Sequence, residues 1–148
     1  MENKISGMRN HIIHIKSRLS GVAIMNEQLA KMCKQWEISN DVAFSMNLAL
    51  EEIVTNIITH GYGGHEEYDI TIRFSLEKHN LRIQIKDTAS EFNPLDADEP
   101  DDLGKPLEER NIGGLGIHLV KKFTDNFQYR RSKSKNVITL IKSLDHGN

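Results

Sequence analysis

Three short stretches combine residue types and spacings that could do chemistry. In LALEEIVTNIITHG, residues 48–61, Glu52 and Asn56 stand four apart. With about 100° per residue, Val42, Met46, Leu50, Ile53 and Ile57 fall within an arc of roughly 80° on a helix. Glu52 and Asn56 share a face just beside that arc, while Glu51 projects away from it, toward solvent. An acid and an amide at the margin of a buried stripe suit a general base and a ligand for a metal or phosphate oxygen. A solvated Glu–Asn pair on an amphipathic helix would read the same way.

The second stretch is RIQIKDTAS, residues 82–90. Leu81, Ile83 and Ile85 alternate with Arg82, Gln84 and Lys86, the period of a strand with one buried face. Asp87 is next in the apolar register. A buried carboxylate needs a partner. That partner is either the following turn, which Asp87 would cap, or the amino group of a ligand. The third stretch is IGGLGIHLV, residues 112–120. Glycines let the backbone approach a ligand, and N–H groups at a helix start bind phosphate. The dinucleotide fingerprint is excluded, because an acidic loop and not a strand precedes the glycines. The phosphate-loop motif is excluded by the lack of a Gly-Lys-Ser/Thr ending.

The elements that must position these residues follow from periodicity. Residues 11–17 read as a strand and 21–36 as a helix. Ser39, Asn40 and Asp41 offer caps for a second helix running to about His60, stopped by GYGG. Strands at 70–76 and 81–87 form a hairpin. Residues 93–110 hold all three prolines and many acids, and read as a long loop of the kind that is often functional. A helix at 113–125 and a closing hairpin around KSK complete the chain. The order β-α-α-β-β-loop-α-β-β suggests an α+β fold: a two-layer sandwich with helices on one face of a mainly antiparallel sheet.

Composition bounds the rest. The 148 residues, 38% hydrophobic and 27% charged, suit one domain over 1–148. A net charge of −2 without a basic block argues against a dedicated nucleic-acid or anionic-membrane binder. The single cysteine, Cys33, excludes a disulfide framework and a cysteine zinc site. The seven histidines show no metal-ligand spacing. The first residues show no signal peptide, no transmembrane helix is read, and the cytoplasm is the expected location.

In this order the three stretches resemble the ATP-binding fold shared by gyrase, the ninety-kilodalton heat-shock chaperones, histidine kinases and mismatch-repair ATPases. They are most similar to the stand-alone anti-sigma-factor serine kinases. EEIVTNIITHGYG resembles that group's N-box, DTASEFNPLD its first glycine box, and PLEERNIGGLGIHLVKKFTD its second. The likeness implies ATP and Mg²⁺ as cofactors. Glu52 would be the catalytic base, and Asn56 would hold Mg²⁺ against the phosphates. Asp87 would accept the adenine amino group, with Ala89 and Phe92 of the same box among the nucleotide-binding residues. Gly113, Gly114, Leu115 and Gly116 would cradle phosphate, and Arg110 would contact it. Residues 93–112 would be an ATP lid. The lid carries seven Asp/Glu against two Lys/Arg, so it should order only with Mg²⁺-nucleotide, through Arg110 and Lys105.

The likeness further implies a homodimer that phosphorylates an anti-anti-sigma protein of the STAS type and sequesters a sigma factor. One position departs from the pattern. Ala89 stands where the first box usually has glycine, which would permit φ > 0 and close approach to adenine. That departure motivates a second reading, a protein-binding switch, nucleotide-gated or nucleotide-free, without phosphoryl transfer. A detached histidine-kinase catalytic domain is disfavoured, since the chain has no room for a phospho-acceptor helix pair.

Overall fold

The structure, a computed structural model, describes residues 8–94 and 112–144, with 112–117 described by backbone course alone. Most of the expected lid, including Lys105 and Arg110, lies outside the described residues. The elements run β1 (Met8–Lys16), α1 (Leu19–Gln35), α2 (Asn40–Asn56), a π turn (Ile57–Gly61), β2 (Asp69–Glu77), β3 (Asn80–Asp87), α3 (Ile112–Phe123), β4 (Asn126–Ser132) and β5 (Lys135–Ser143). The five strands form one antiparallel sheet in the order β1-β2-β3-β5-β4.

The fold is α+β, and its alternating strands explain why. Ile13 pairs with Ile72, Ile72 with Ile85, and Ile85 with Ile138 across the sheet. These side chains share one face with Phe74, Ile83 and Leu140, and all are buried. Met25, Leu29 and Met32 of α1, Met46, Leu50 and Ile53 of α2, and Val120 and Phe123 of α3 join them in one core. Each helix contributes an apolar stripe at helical spacing, so the three lie on the same face of the sheet. Cys33 is buried among them, and burial pushes its thiol up to about 11. It is an inert core residue.

Several boundaries differ from the sequence reading. β1 begins three residues earlier and ends at Lys16, because β2 is long enough to pair with Met8 through Lys16. Ser17 leaves the strand, and its hydroxyl donates to the carbonyl of His65. The second helix does not run regularly to His60. It changes to π geometry at Ile57, and the chain then reverses at Gly63 and Gly64, both with positive φ. α3 starts at Ile112 and ends at Phe123, where Thr124 Oγ1 folds back onto the Val120 carbonyl at 3.0 Å. The span Asn40–Gly61 is long and apolar enough to cross a membrane by length and composition alone, a test that a buried core helix also passes. Here it is the core helix, packed against α3 and α1.

The β4–β5 hairpin closes on two residues with positive φ, Lys133 at 51° and Ser134 at 66°. Two left-handed residues in a two-residue turn match the twist of the strands, but neither residue is glycine. We expect Ser134→Gly to raise the melting temperature by roughly 2–4 °C, about 1 kcal/mol in a chain of this size. A thermal melt showing no rise would mean that this turn carries no strain.

Candidate nucleotide site

α2 begins at a sequence-encoded cap: the Ser39 hydroxyl accepts the Val42 N–H at 3.2 Å. The helix phase set there carries to its far end. Asn56 Nδ2 donates to Glu52 Oε2 at 3.1 Å, so the two residues sit on one face, as their spacing requires. Asn56 is buried and Glu52 half-buried. Burial raises the Glu52 pKa, while the Asn56 hydrogen bond and the nearby His60 pull it down. Glu51 departs from expectation. It is half-buried, not turned to solvent, because Asn26 Nδ2 of α1 donates to its Oε2. Asn26 Oδ1 in turn accepts from Asn47 Nδ2 at 2.9 Å. The helical phase was read correctly, but α1 packs closely enough on that flank to reach Glu51.

The π turn re-aims the chain after Asn56. Tyr62 N–H donates to the Ile57 carbonyl at 2.8 Å, one residue further back than in an α-helix. This widening brings His60, Gly61 and Tyr62 against the segment that follows β3. The His60 and Phe92 rings lie 6.0 Å apart. Gly61 faces Ala89 so closely that a methyl on it would meet the Ala89 methyl at 3.4 Å and Phe92 at 3.5 Å. The Tyr62 hydroxyl accepts the Thr88 N–H at 2.8 Å and donates to the Asp69 carbonyl at 3.0 Å. Its ring stacks on Tyr68 at 5.0 Å. The turn after β3 is thereby fastened to the end of α2.

Asp87 ends β3 on the core face and is 3% exposed. Its Oδ1 accepts the Ala89 N–H at 2.9 Å and Asn136 Nδ2 at 2.8 Å. It therefore caps the next turn, and it also has a partner no motif suggested. Among the described residues, no donor reaches its other oxygen, Oδ2. Burial raises the Asp87 pKa, while Asn136, the Ala89 N–H and the charge of Arg131 draw it down.

Asn136 is the residue that sequence reasoning missed. It is Asp87's partner in the β3–β5 ladder and is 1% exposed. Its Nδ2 also reaches the Ser90 carbonyl at 3.0 Å and the Ala89 carbonyl at 3.3 Å. Its Oδ1 accepts from Phe92 N–H at 3.3 Å, Arg131 Nη1 at 3.1 Å and the Tyr129 hydroxyl. Arg131 Nη1 donates to the Ala89 carbonyl at 2.8 Å as well. The signal was present: Asn136 occupies the apolar register of Asn136, Ile138 and Leu140, just as Asp87 does in β3. Ala89 itself does not have a positive φ, contrary to the concern its replacement of glycine raised. Its methyl lies opposite the bare backbone of Gly61.

The structure pairs Glu52 with Asn56 on α2 and Asp87 with Ala89 after β3, and it joins the two segments where His60 and Gly61 meet Phe92 and Ala89. Gly113, Gly114, Leu115 and Gly116 fall in the opening turns of α3, which packs on α2. Arg110 lies outside the described residues. The donor set suits a hard cation held mainly by phosphates: Asn56 has its carbonyl oxygen to offer, its Nδ2 being engaged with Glu52. No group of three acidic, histidine or cysteine residues gathers among the described residues. The Oδ2 atom of Asp87 suits an amino donor.

A raised carboxylate pKa has a definite linkage sign. Stability contributed by Asp87 is full below its ordinary value of 3.8 and is lost as pH rises through its folded value. We expect ligand-free Asp87→Asn to melt no lower than wild type at pH 7–8, since Asn Oδ1 still accepts from Ala89 and Asn136. The difference should shrink on acidification toward pH ~4. In contrast, Asn136→Ala should cost roughly 2–4 kcal/mol, because it leaves several buried partners unsatisfied. Parallel melts across pH check both; a large loss of stability in Asp87→Asn at neutral pH would contradict the linkage.

Comparison with known proteins completes the picture. A family model described as a histidine kinase-like ATPase domain matches residues 15–142. The serine-protein kinase RsbW of Bacillus mycoides is 28% identical over 127 residues, 84% of this chain and 79% of that protein. RsbW of Bacillus cereus is 29% identical over the same span. A crystal structure of the RsbU and RsbW domains of a Mycobacterium tuberculosis protein superposes with a TM-score of 0.65 at 13% identity. It covers 91% of this chain and 32% of that one, and at this identity the likeness concerns the fold alone. The chain belongs to the histidine kinase-like ATPase domain family.

Proposed function

We propose that the chain is an ATP- and Mg²⁺-dependent serine/threonine protein kinase of the anti-sigma type. Its acceptor is an anti-anti-sigma protein of the STAS type, it sequesters a sigma factor, and it works as a homodimer in the cytoplasm. The observation that carries this reading is Glu52, half-buried, hydrogen-bonded by Asn56 and lifted in pKa, on the helix whose end is fastened to the turn after Asp87. A general base needs that placement and a pKa nearer the operating pH. The relatives named as serine-protein kinases support it.

In this reading Asp87 accepts the adenine amino group through Oδ2, with Oδ1 already held by Asn136. Asn56 would hold Mg²⁺ through its Oδ1, since its Nδ2 is engaged with Glu52. Bound Mg²⁺ would neutralise phosphate charge. Glu52 takes the proton of a serine hydroxyl as its oxygen attacks the γ-phosphorus and ADP leaves. Gly113 to Gly116 and Arg110 would serve the phosphates, with residues 93–112 as the ATP lid. Ala89, the motive for a switch without transfer, has an ordinary backbone and its methyl is accommodated at Gly61. That lowers the case for the switch.

The test is transfer of labelled phosphate from ATP to STAS-type proteins of the same genome. We expect Glu52→Gln to keep ATP affinity and lose about 10²–10⁴ in transfer rate. Asn56→Ala should weaken Mg²⁺-ATP binding instead. Glu51→Gln should keep transfer and loosen only the link to α1. The acid limb of the kcat–pH profile should lie above the ordinary glutamate value of 4.5 and vanish in Glu52→Gln. Loss of transfer in Glu51→Gln but not in Glu52→Gln would overturn the assignment of the base. Calorimetry should also show ATP preferred over GTP, whose carbonyl would meet Asp87 as a second acceptor. Equal binding of the two would refute the role of Asp87.

A further inference from the structure

Phe44, Leu48, Glu52 and Asn56 follow one another at intervals of four along α2. Such a row forms a ridge on a helix surface, advancing about 6 Å and turning about 40° at each step. Exposure falls along it: 66% at Phe44, 38% at Leu48, half-buried at Glu52 and 9% at Asn56. The ridge winds from open solvent into the nucleotide site. Its outer half is apolar, although a solvent-facing helix row normally carries polar residues.

We propose that Phe44 and Leu48 are the docking strip for the protein that presents its hydroxyl to Glu52. The inference rests on the kinase reading of Glu52 and names a property of the acceptor. A hydroxyl delivered to Glu52 brings its own protein body over the next residues of the ridge. The acceptor therefore carries apolar side chains about 6–12 Å from that hydroxyl, two to four residues away in an extended segment. A second copy of this chain seated on the strip would cover the approach to Glu52. An anionic membrane would meet the exposed Asp41, one turn from Phe44 on the same helix. Two apolar side chains make a small contact, which suits an acceptor that must leave after each turnover.

The experiment is steady-state transfer to the acceptor protein found by the labelling screen, using the full chain. Phe44→Ala and Leu48→Ala remove exposed side chains, and alanine favours helix, so folding is preserved. Each should raise the KM for the acceptor roughly tenfold, and together more, with kcat and the Kd for ATP unchanged. Phe44→Leu should retain most of the wild-type KM. Leu19→Ala removes an equally exposed apolar residue off the ridge, also 66% exposed, and should change nothing. A double variant with wild-type KM overturns the docking strip and leaves the kinase reading standing. A fall in kcat or ATP affinity overturns it as well, since the strip would then act through the nucleotide site. Absence of transfer by the wild type to any acceptor removes the kinase reading and this inference with it.

Discussion

The hydrogen bond between Asn136 Nδ2 and Asp87 Oδ1, 2.8 Å long, is the contact on which the site depends. A carboxylate on the core face of a sheet is costly to bury. Asn136 offsets that cost from the neighbouring strand, at the same level of the ladder, with the Ala89 N–H as second donor. Both donors fall on one oxygen. The arrangement holds the carboxylate in place yet leaves its other oxygen without a donor among the described residues. Asn136 then fixes the whole turn after β3 through Ala89, Ser90 and Phe92, supported by Tyr129 and Arg131. Removing it would affect far more than one bond, since buried polar networks are costly when half-satisfied.

The second support is the break in α2. A regular helix through His60 would carry Gly61 and Tyr62 on a different course. Its π turn instead lets Tyr62 reach Thr88 and Asp69, and sets Gly61 against Ala89. Two chain segments far apart in sequence are thus joined at one place: the end of the helix bearing Glu52 and Asn56, and the end of the strand bearing Asp87. The small residue at 61 and the alanine at 89 are complementary. This is why the departure at 89 is compatible with the geometry of a nucleotide-binding family.

Much of this was legible in the sequence because periodicity alone decides which face is buried. The helical spacing of Val42 through Ile57 put Glu52 and Asn56 on one side, and the strand spacing of Leu81 through Ile85 put Asp87 inward. Element order and the α+β layering followed from the same signals. What was not legible depended on contacts between elements. Glu51 looked solvent-directed until α1 supplied Asn26. The π turn has no signature in IITHG, whose residues are compatible with an ordinary helix. Asn136 was visible in principle as a polar residue in an apolar register, but only the ladder shows that it stands opposite Asp87. The glycine-bearing start of α3 was read as a helix opening, and its backbone agrees to within one residue.

The central claim is that Asp87 is held by Asn136 through one oxygen so that the other can receive an amino group. Carbon-13 NMR of the Asp87 side-chain carboxyl, titrated with pH, tests it most directly. In the free protein burial keeps the pKa above 3.8. Saturating Mg²⁺-ATP should lower it, because a new donor favours the charged form, and Mg²⁺-GTP at the same concentration should not. An Asp87 titration that is the same with and without Mg²⁺-ATP would contradict the account.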